Sequence, residues 1–161
     1  MTVRRGAVSR GSRWLAVALA AVFVCSAAGA ALASSGAEIT SREGQAGQML
    51  VARNGHTLYL FNRDWRKSYC YGTCAATWKP DITYGRPTTP SGSGLNAKLL
   101  GTTRRTNRSL QVTYNGHPLY LYAGDKSAGN MHGEAKYQFR GYWYAVTPSG
   151  KALKPFNPGT Y

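Results

Sequence analysis

An eight-residue segment occurs twice in this 161-residue chain: Asn54-Gly55-His56-Thr57-Leu58-Tyr59-Leu60-Phe61 returns as Asn115-Gly116-His117-Pro118-Leu119-Tyr120-Leu121-Tyr122. The spacing from Asn54 to Asn115 holds at every position, six of the eight positions are identical, and the same spacing carries Asp64 onto Asp125. Such a duplication constrains the fold strongly. Each copy is one supersecondary unit, and a unit this small buries its apolar surface only against its partner.

Both copies read as hairpins. Residues 49–53 and 110–114 are incoming strands, Asn-Gly is the preferred pair for a two-residue turn, and His-x-Leu-Tyr-Leu-aromatic leaves as the second strand. Period-two alternation sets Tyr59 and Phe61 opposite Leu58 and Leu60, and Tyr120 and Tyr122 opposite Leu119 and Leu121. Apolar on both faces, these strands are expected at the centre of the molecule. A Trp follows each hairpin, Trp78 and Trp143, the second within a strand-like Gly-Tyr-Trp-Tyr-Ala-Val run. A further strand over about 98–104 is expected to pair with 109–114. The expectation is an all-β fold: antiparallel hairpins in two pseudo-equivalent repeats, 46–84 and 95–153, packed as one small sandwich or barrel-like domain. The Gly/Pro/Ser-rich stretch 85–94 reads as the exposed linker and 34–45 as a flexible N-terminal segment.

The segment 1–33 reads as an address. Arg4, Arg5, Arg10 and Arg13 precede an uncharged, mostly apolar run from Trp14 to Val24, and small residues follow up to Ala33. A basic region, an apolar region and a small-x-small site make a secretory signal peptide cut before Ser34. The uncharged run from Trp14 to Ala33 also has the length of an uncleaved anchor. Cys25 stands where a lipoprotein carries its acylated cysteine, but Phe23 and Val24 depart from the small residue expected there.

Removing this segment takes four arginines and no acid, leaving sixteen basic residues against six acidic ones. Outside the membrane, such a charge draws a protein to anionic wall polymers rather than to nucleic acid. Arg104, Arg105 and Arg108, in an aromatic-rich chain, are the residues expected to bind such a polymer. No stable oligomer and no cofactor are expected.

Tyr59-Leu60-Phe61-Asn62-Arg63-Asp64 and Tyr120-Leu121-Tyr122-Ala123-Gly124-Asp125 share a Tyr-x-aromatic-x-x-Asp pattern, and Ser68-Tyr69-Cys70-Tyr71-Gly72-Thr73-Cys74-Ala75-Ala76-Thr77-Trp78-Lys79-Pro80 follows the first. Together they resemble the bacterial secreted-repeat lipoproteins with a Y-x4-D motif. The resemblance runs over about residues 46–150 and implies a cell-envelope domain of unknown function. Lys79 stands where that family's cysteine segment has a proline.

Three readings of function follow. The first is a non-enzymatic binding or structural module with a basic, aromatic-rich surface. The second rests on Cys70 and Cys74, the two cysteines remaining after export, which are expected to form a disulfide. As thiolates they would instead be a Cu(I) or redox pair, with His56, His117 or His132 as a further ligand. The third takes Asp64 and Asp125 as the carboxylates of an envelope glycosidase, against their use as acceptors of backbone N–H bonds in the turns that follow. No Gly-x-Ser-x-Gly elbow and no His-Glu-x-x-His helix is present.

Overall fold

The computed structural model describes residues 1–2, 36–44 and 46–153. The signal-peptide reading and Cys25 lie outside them. The described residues from Gly36 onward belong to one compact unit.

Each copy contributes the same three parts. The first is a hairpin: β1 (Ile39–Gly44) with β2 (Gly47–Ala52) in copy one, β6 (Leu100–Arg104) with β7 (Leu110–Tyr114) in copy two. The second is the tyrosine strand: β3 (Leu58–Phe61), and β9 (Tyr120–Tyr122) preceded by the short β8 (His117–Pro118). The third is the tryptophan strand: β4 (Trp78–Pro80), continued by β5 (Ile82–Thr83), and β11 (Gly141–Ala145). A helix α1 (Thr73–Thr77) belongs to the first copy and an extra edge strand β10 (Lys136–Gln138) to the second.

The two copies are assembled by exchange. The central antiparallel sheet runs β10-β11-β3-β9-β4, so each tryptophan strand pairs with the tyrosine strand of the other copy. Trp143 lies opposite Phe61 and Trp78 opposite Tyr122, while Tyr59 faces Tyr120 across the β3–β9 junction. A pseudo-twofold axis therefore passes between the two motif tyrosines. The ladder continues by the same rule: the Asp81 N–H donates to Leu119 O at 3.0 Å and the Val146 N–H to the equivalent Leu58 O at 3.1 Å.

Two cores follow from the strand alternation. Leu58, Leu60 and Leu119 face the hairpins, where Ile39, Leu50, Val112 and Tyr114 cover them. Tyr59, Phe61 and Tyr120 face the other way into an aromatic layer with Trp78 and Trp143. There the two indoles stack with centroids 4.0 Å apart and planes 4° from parallel, Phe61 stacks on Trp143 at 4.3 Å, and Tyr122 lies on Trp78 at 4.4 Å. The result is an all-β, antiparallel, sandwich-like domain whose sheets do not close into a barrel.

Three local expectations are corrected. Residues 39–44, expected within a flexible segment, are a strand paired along its whole length with β2. They are the first copy's counterpart of β6, Ile39 standing to Leu100 as Asn54 stands to Asn115. The first Asn-Gly hairpin forms the single Val51–Thr57 bridge before β3 leaves for the central sheet, where it lies between β11 and β9. The expected strand over 98–104 begins at Leu100, since Ala97–Leu99 is a 3-10 turn capped by the Asn96 side chain. In the second copy the two-residue turn forms as expected, with Asn115 and Gly116 at φ 47° and 79° and Tyr114 opposite His117.

Candidate functional site

The motif residues interlock across the axis. The Tyr59 hydroxyl donates to Asp125 Oδ2 at 2.6 Å, and the Tyr120 hydroxyl donates to Asp64 Oδ2. Each tyrosine thus serves the aspartate of the other copy. The remaining carboxylate oxygens close the loops that follow. Asp64 Oδ1 accepts the Tyr69 N–H at 2.9 Å, and Asp125 Oδ1 accepts the His132 N–H at 2.9 Å. All four residues are buried, Asp125 the most exposed of them at 5%. Burial pushes the Asp64 carboxyl up to about 6, against the opposing pull of its bonds from Tyr120 and Tyr69. Burial first, and the facing carboxylates next, raise both phenols above their ordinary range. These aspartates fasten strands and loops, the role of turn acceptors. The geometry a glycosidase needs, two carboxyls flanking a cleft open to a sugar, is not theirs.

The cysteine segment is equally committed. Cys70 and Cys74 form a disulfide with Cα atoms 5.2 Å apart, Cys70 fully buried and Cys74 nearly so. Arg105, expected on a polymer-binding surface, is buried instead and holds this segment. Its Nη1 donates to Ser68 Oγ at 2.8 Å and Gln111 Oε1 at 2.6 Å, its Nη2 donates to Cys70 O at 2.7 Å, and its guanidinium lies 4.4 Å from the Tyr71 ring centroid. A run of arginines looks like a surface, yet a planar fork with several donors also satisfies a cluster of buried acceptors. The histidines have three separate settings. His56 sits at a turn exit, His117 packs edge-on against Trp65 at 4.9 Å with its pKa lowered by burial, and His132 stands beside Asp125. Among the described residues, no three His, Cys, Asp or Glu side chains gather into a metal-binding group.

The surface feature that sequence reasoning missed is the loop carrying Asp64. Residues 62–69 alternate exposed cations and rings, Arg63, Trp65, Arg66, Lys67 and Tyr69, while Asp64 and Ser68 point inward. Trp65 is 54% exposed and Tyr69 62% exposed. Arg66 lies 5.8 Å from the Trp65 ring centroid and Lys67 5.5 Å from that of Tyr69. The Thr103 hydroxyl donates to Arg66 O at 2.8 Å, which sets this loop beside the β6–β7 hairpin. At that hairpin's tip Arg104 and Arg108 are exposed and joined by a 3.0 Å bond from Arg104 Nη1 to Arg108 O. On the other side Arg63 Nη1 donates to Arg140 O at 3.3 Å. Arg140 and the exposed Phe139 form the β10–β11 turn with φ of 63° and 56°, a left-handed conformation costly for such side chains. The loop's only acid is the buried Asp64, so its exposed side chains present positive charge and aromatic rings. The signal was in the sequence as Arg-Asp-Trp-Arg-Lys, masked by reading Asp64 as the end of the motif.

No curated protein and no solved structure matches the chain. A family profile does, in two blocks, residues 40–80 and 101–147, described as a secreted repeat of unknown function. The blocks cover more than half of the chain and coincide with the two copies that exchange strands, Tyr59 and Asp64 in one, Tyr120 and Asp125 in the other. The chain therefore belongs to the family of secreted repeats of unknown function.

Proposed function

We propose that the protein is an exported, non-enzymatic module of the cell envelope that grips anionic wall polymers through the surface built from Arg63, Trp65, Arg66, Lys67, Tyr69, Arg104 and Arg108. The observation that carries this reading is the alternation of exposed cations and rings on residues 63–69, with the one acid of that loop buried beneath it. Guanidinium groups pair with phosphate or carboxylate, and the Trp65 and Tyr69 faces offer apolar platforms for sugar rings. Export is supported by the family's description as secreted and by the signal-peptide pattern over 1–33. The interlocked tyrosines and aspartates then act as the rigid frame that fixes the loop.

Cosedimentation of the purified protein with isolated cell walls tests this. Binding is expected at low salt and is expected to weaken steeply as salt is raised through physiological strength, where exposed charges are screened beyond about 8 Å. The pair Arg66→Glu and Lys67→Glu should abolish it, whereas Lys136→Glu, elsewhere on the surface, should leave it nearly intact. Absence of binding at low salt, or binding indifferent to salt and to the charge reversal, would overturn the reading.

A further inference from the structure

A second feature lies away from that loop. Between the β1–β2 hairpin and the segment following Asp125 runs a cleft of about 650 Å³, whose walls include Arg42, Gly44, Met49, Met131 and His132. The whole chain has three methionines, and the first is Met1. The other two meet here although they lie far apart in sequence. Both sulfurs fall within 3.6 Å of the point where a Cβ on Gly44 would stand, and that Cβ would come within 2.6 Å of Met49 Cε. Glycine at 44 lets the Met49 methyl pack against β1, and both thioethers converge on this stretch of the cleft wall.

Met49 is buried at the edge of the aromatic core with Met131 packed against it, and among the described residues neither sulfur takes a strong hydrogen bond. The Thr57 hydroxyl has one hydrogen, and at 2.6 Å it goes to Asn130 O, fixing the backbone next to Met131; Met49 Sδ, 3.8 Å away, is a much poorer acceptor. His132 Nδ1 stands 3.3 Å from Asp125 Oδ1, a carboxylate that is itself buried and already holds the His132 backbone. A carboxylate on Nδ1 favours the proton there and leaves the Nε2 lone pair available, the arrangement that orients ligating histidines. The imidazole is 65% exposed, so Nε2 is reachable from solvent.

We propose that Met49, Met131 and His132 form a binding site for Cu(I). Two thioethers and an imidazole are a neutral, soft donor set. Such donors suit Cu(I) and have little affinity for the hard cations Mg²⁺ and Ca²⁺. Arg42 and Glu43, of opposite charge, both line the cleft, so the choice of metal rests on the soft donors themselves. Thioethers also persist in an oxidising compartment, where a thiolate pair such as Cys70 and Cys74 is lost to a disulfide. This site shares no residue with the proposed polymer surface, and the two stand or fall separately.

The test is a Cu(I) competition titration, against a chromogenic chelator, of the purified protein with its disulfide intact and no free thiol detectable. One Cu(I) per chain is expected, with both Met49 and Met131 methyl resonances shifting on binding. Met131→Leu and His132→Gln should each weaken binding about tenfold or more. Both are mild changes, the first conserving volume and the second at an exposed position, and unchanged near-UV circular dichroism would show that the fold is kept. Failure to withdraw Cu(I) from the chelator, or affinity unchanged in both variants, would overturn the proposal. So would binding that requires reduction and disappears in Cys70→Ser, since the metal would then sit on the cysteines.

Discussion

At the scale of single residues, the Y-x4-D pattern conceals a partnership that its spacing does not reveal. Tyr59 and Asp64 are neighbours in sequence, but the hydroxyl of Tyr59 bonds Asp125, and Asp64 is served by Tyr120. Removing one hydroxyl leaves a buried carboxylate short of a donor, which costs roughly 1.5–3 kcal/mol. Tyr59→Phe and Tyr120→Phe should each lower stability by about that amount in urea denaturation. Double-mutant cycles give the sharper result. Tyr59→Phe combined with Asp125→Asn should show a coupling on the order of 1 kcal/mol, and combined with Asp64→Asn should be close to additive. Coupling within one motif and none across the axis would refute the exchanged arrangement. A second residue-scale effect concerns pH. Asp81 is pushed up to about 6 by burial, and among the described residues its Oδ2 has no hydrogen-bond partner; Asp64 moves the same way. A carboxyl whose folded pKa lies above its unfolded value favours folding fully when protonated in both states, below about pH 4. That contribution is lost as pH rises through about 6. Thermal midpoints should therefore fall between pH 4 and pH 7 from this source, and Asp81→Asn should flatten the fall. The variant's advantage at pH 7, on the order of 1–2 kcal/mol, should shrink towards acid. An Asp81→Asn profile parallel to the parent's would remove Asp81 as the cause.

At the scale of elements, the β10–β11 turn holds an unusual conformation. A two-residue turn of this hand favours Asn-Gly, the pair at residues 115–116, yet here it is Phe139-Arg140 with both φ values positive. Phe139→Asn with Arg140→Gly should stabilise the protein by about 1–2 kcal/mol, read as a higher urea midpoint at constant slope. No gain would mean that these side chains make contacts that offset the strain. The same element shows what could be read in advance. The tyrosine strands were legible because their alternation places rings on one face and leucines on the other, and both faces are buried. Strand β11 was legible from its aromatic run. Strand β1 was not: Ile39-Thr40-Ser41-Arg42-Glu43-Gly44 is mostly polar, and only its position relative to β6, one repeat later, marks it as the same element. Nor could spacing show which copy each strand would join. The Asn-Gly turn at residues 54–55 specifies a local reversal, but β3 lies between β11 and β9 in the central sheet, so tertiary pairing limits the hairpin to one bridge. Arg105 illustrates the same limit in the candidate site. Its type and its neighbours Arg104 and Arg108 indicate a surface, and only the fold brings Ser68, Cys70 and Gln111 around its guanidinium.

At the scale of the whole molecule, strand exchange decides what can fold alone. Four consecutive strands of the central sheet follow the order β11-β3-β9-β4, so no tyrosine strand lies beside the tryptophan strand of its own copy. The indole stack likewise takes one ring from each copy, and so does each tyrosine–aspartate bond. A chain cut between Ser91 and Gly92, in the exposed turn that joins the copies, loses no strand and no core residue. Each fragment alone, however, keeps only its hairpin and scattered apolar strands, too little for a stable sheet. The two fragments are therefore expected to be unfolded separately, without near-UV dichroism from Trp78 and Trp143. Mixed at equal concentration, they should recover that signal with a midpoint that rises with concentration, because association now replaces the covalent link. Exchange, rather than duplication as such, makes each fragment dependent on the other. Two side-by-side repeats, each pairing its own strands, would give the same family match and the same hairpin pattern in sequence. They would yield fragments that unfold cooperatively alone, and cooperative unfolding of the isolated fragment 92–161 would count against the arrangement described here.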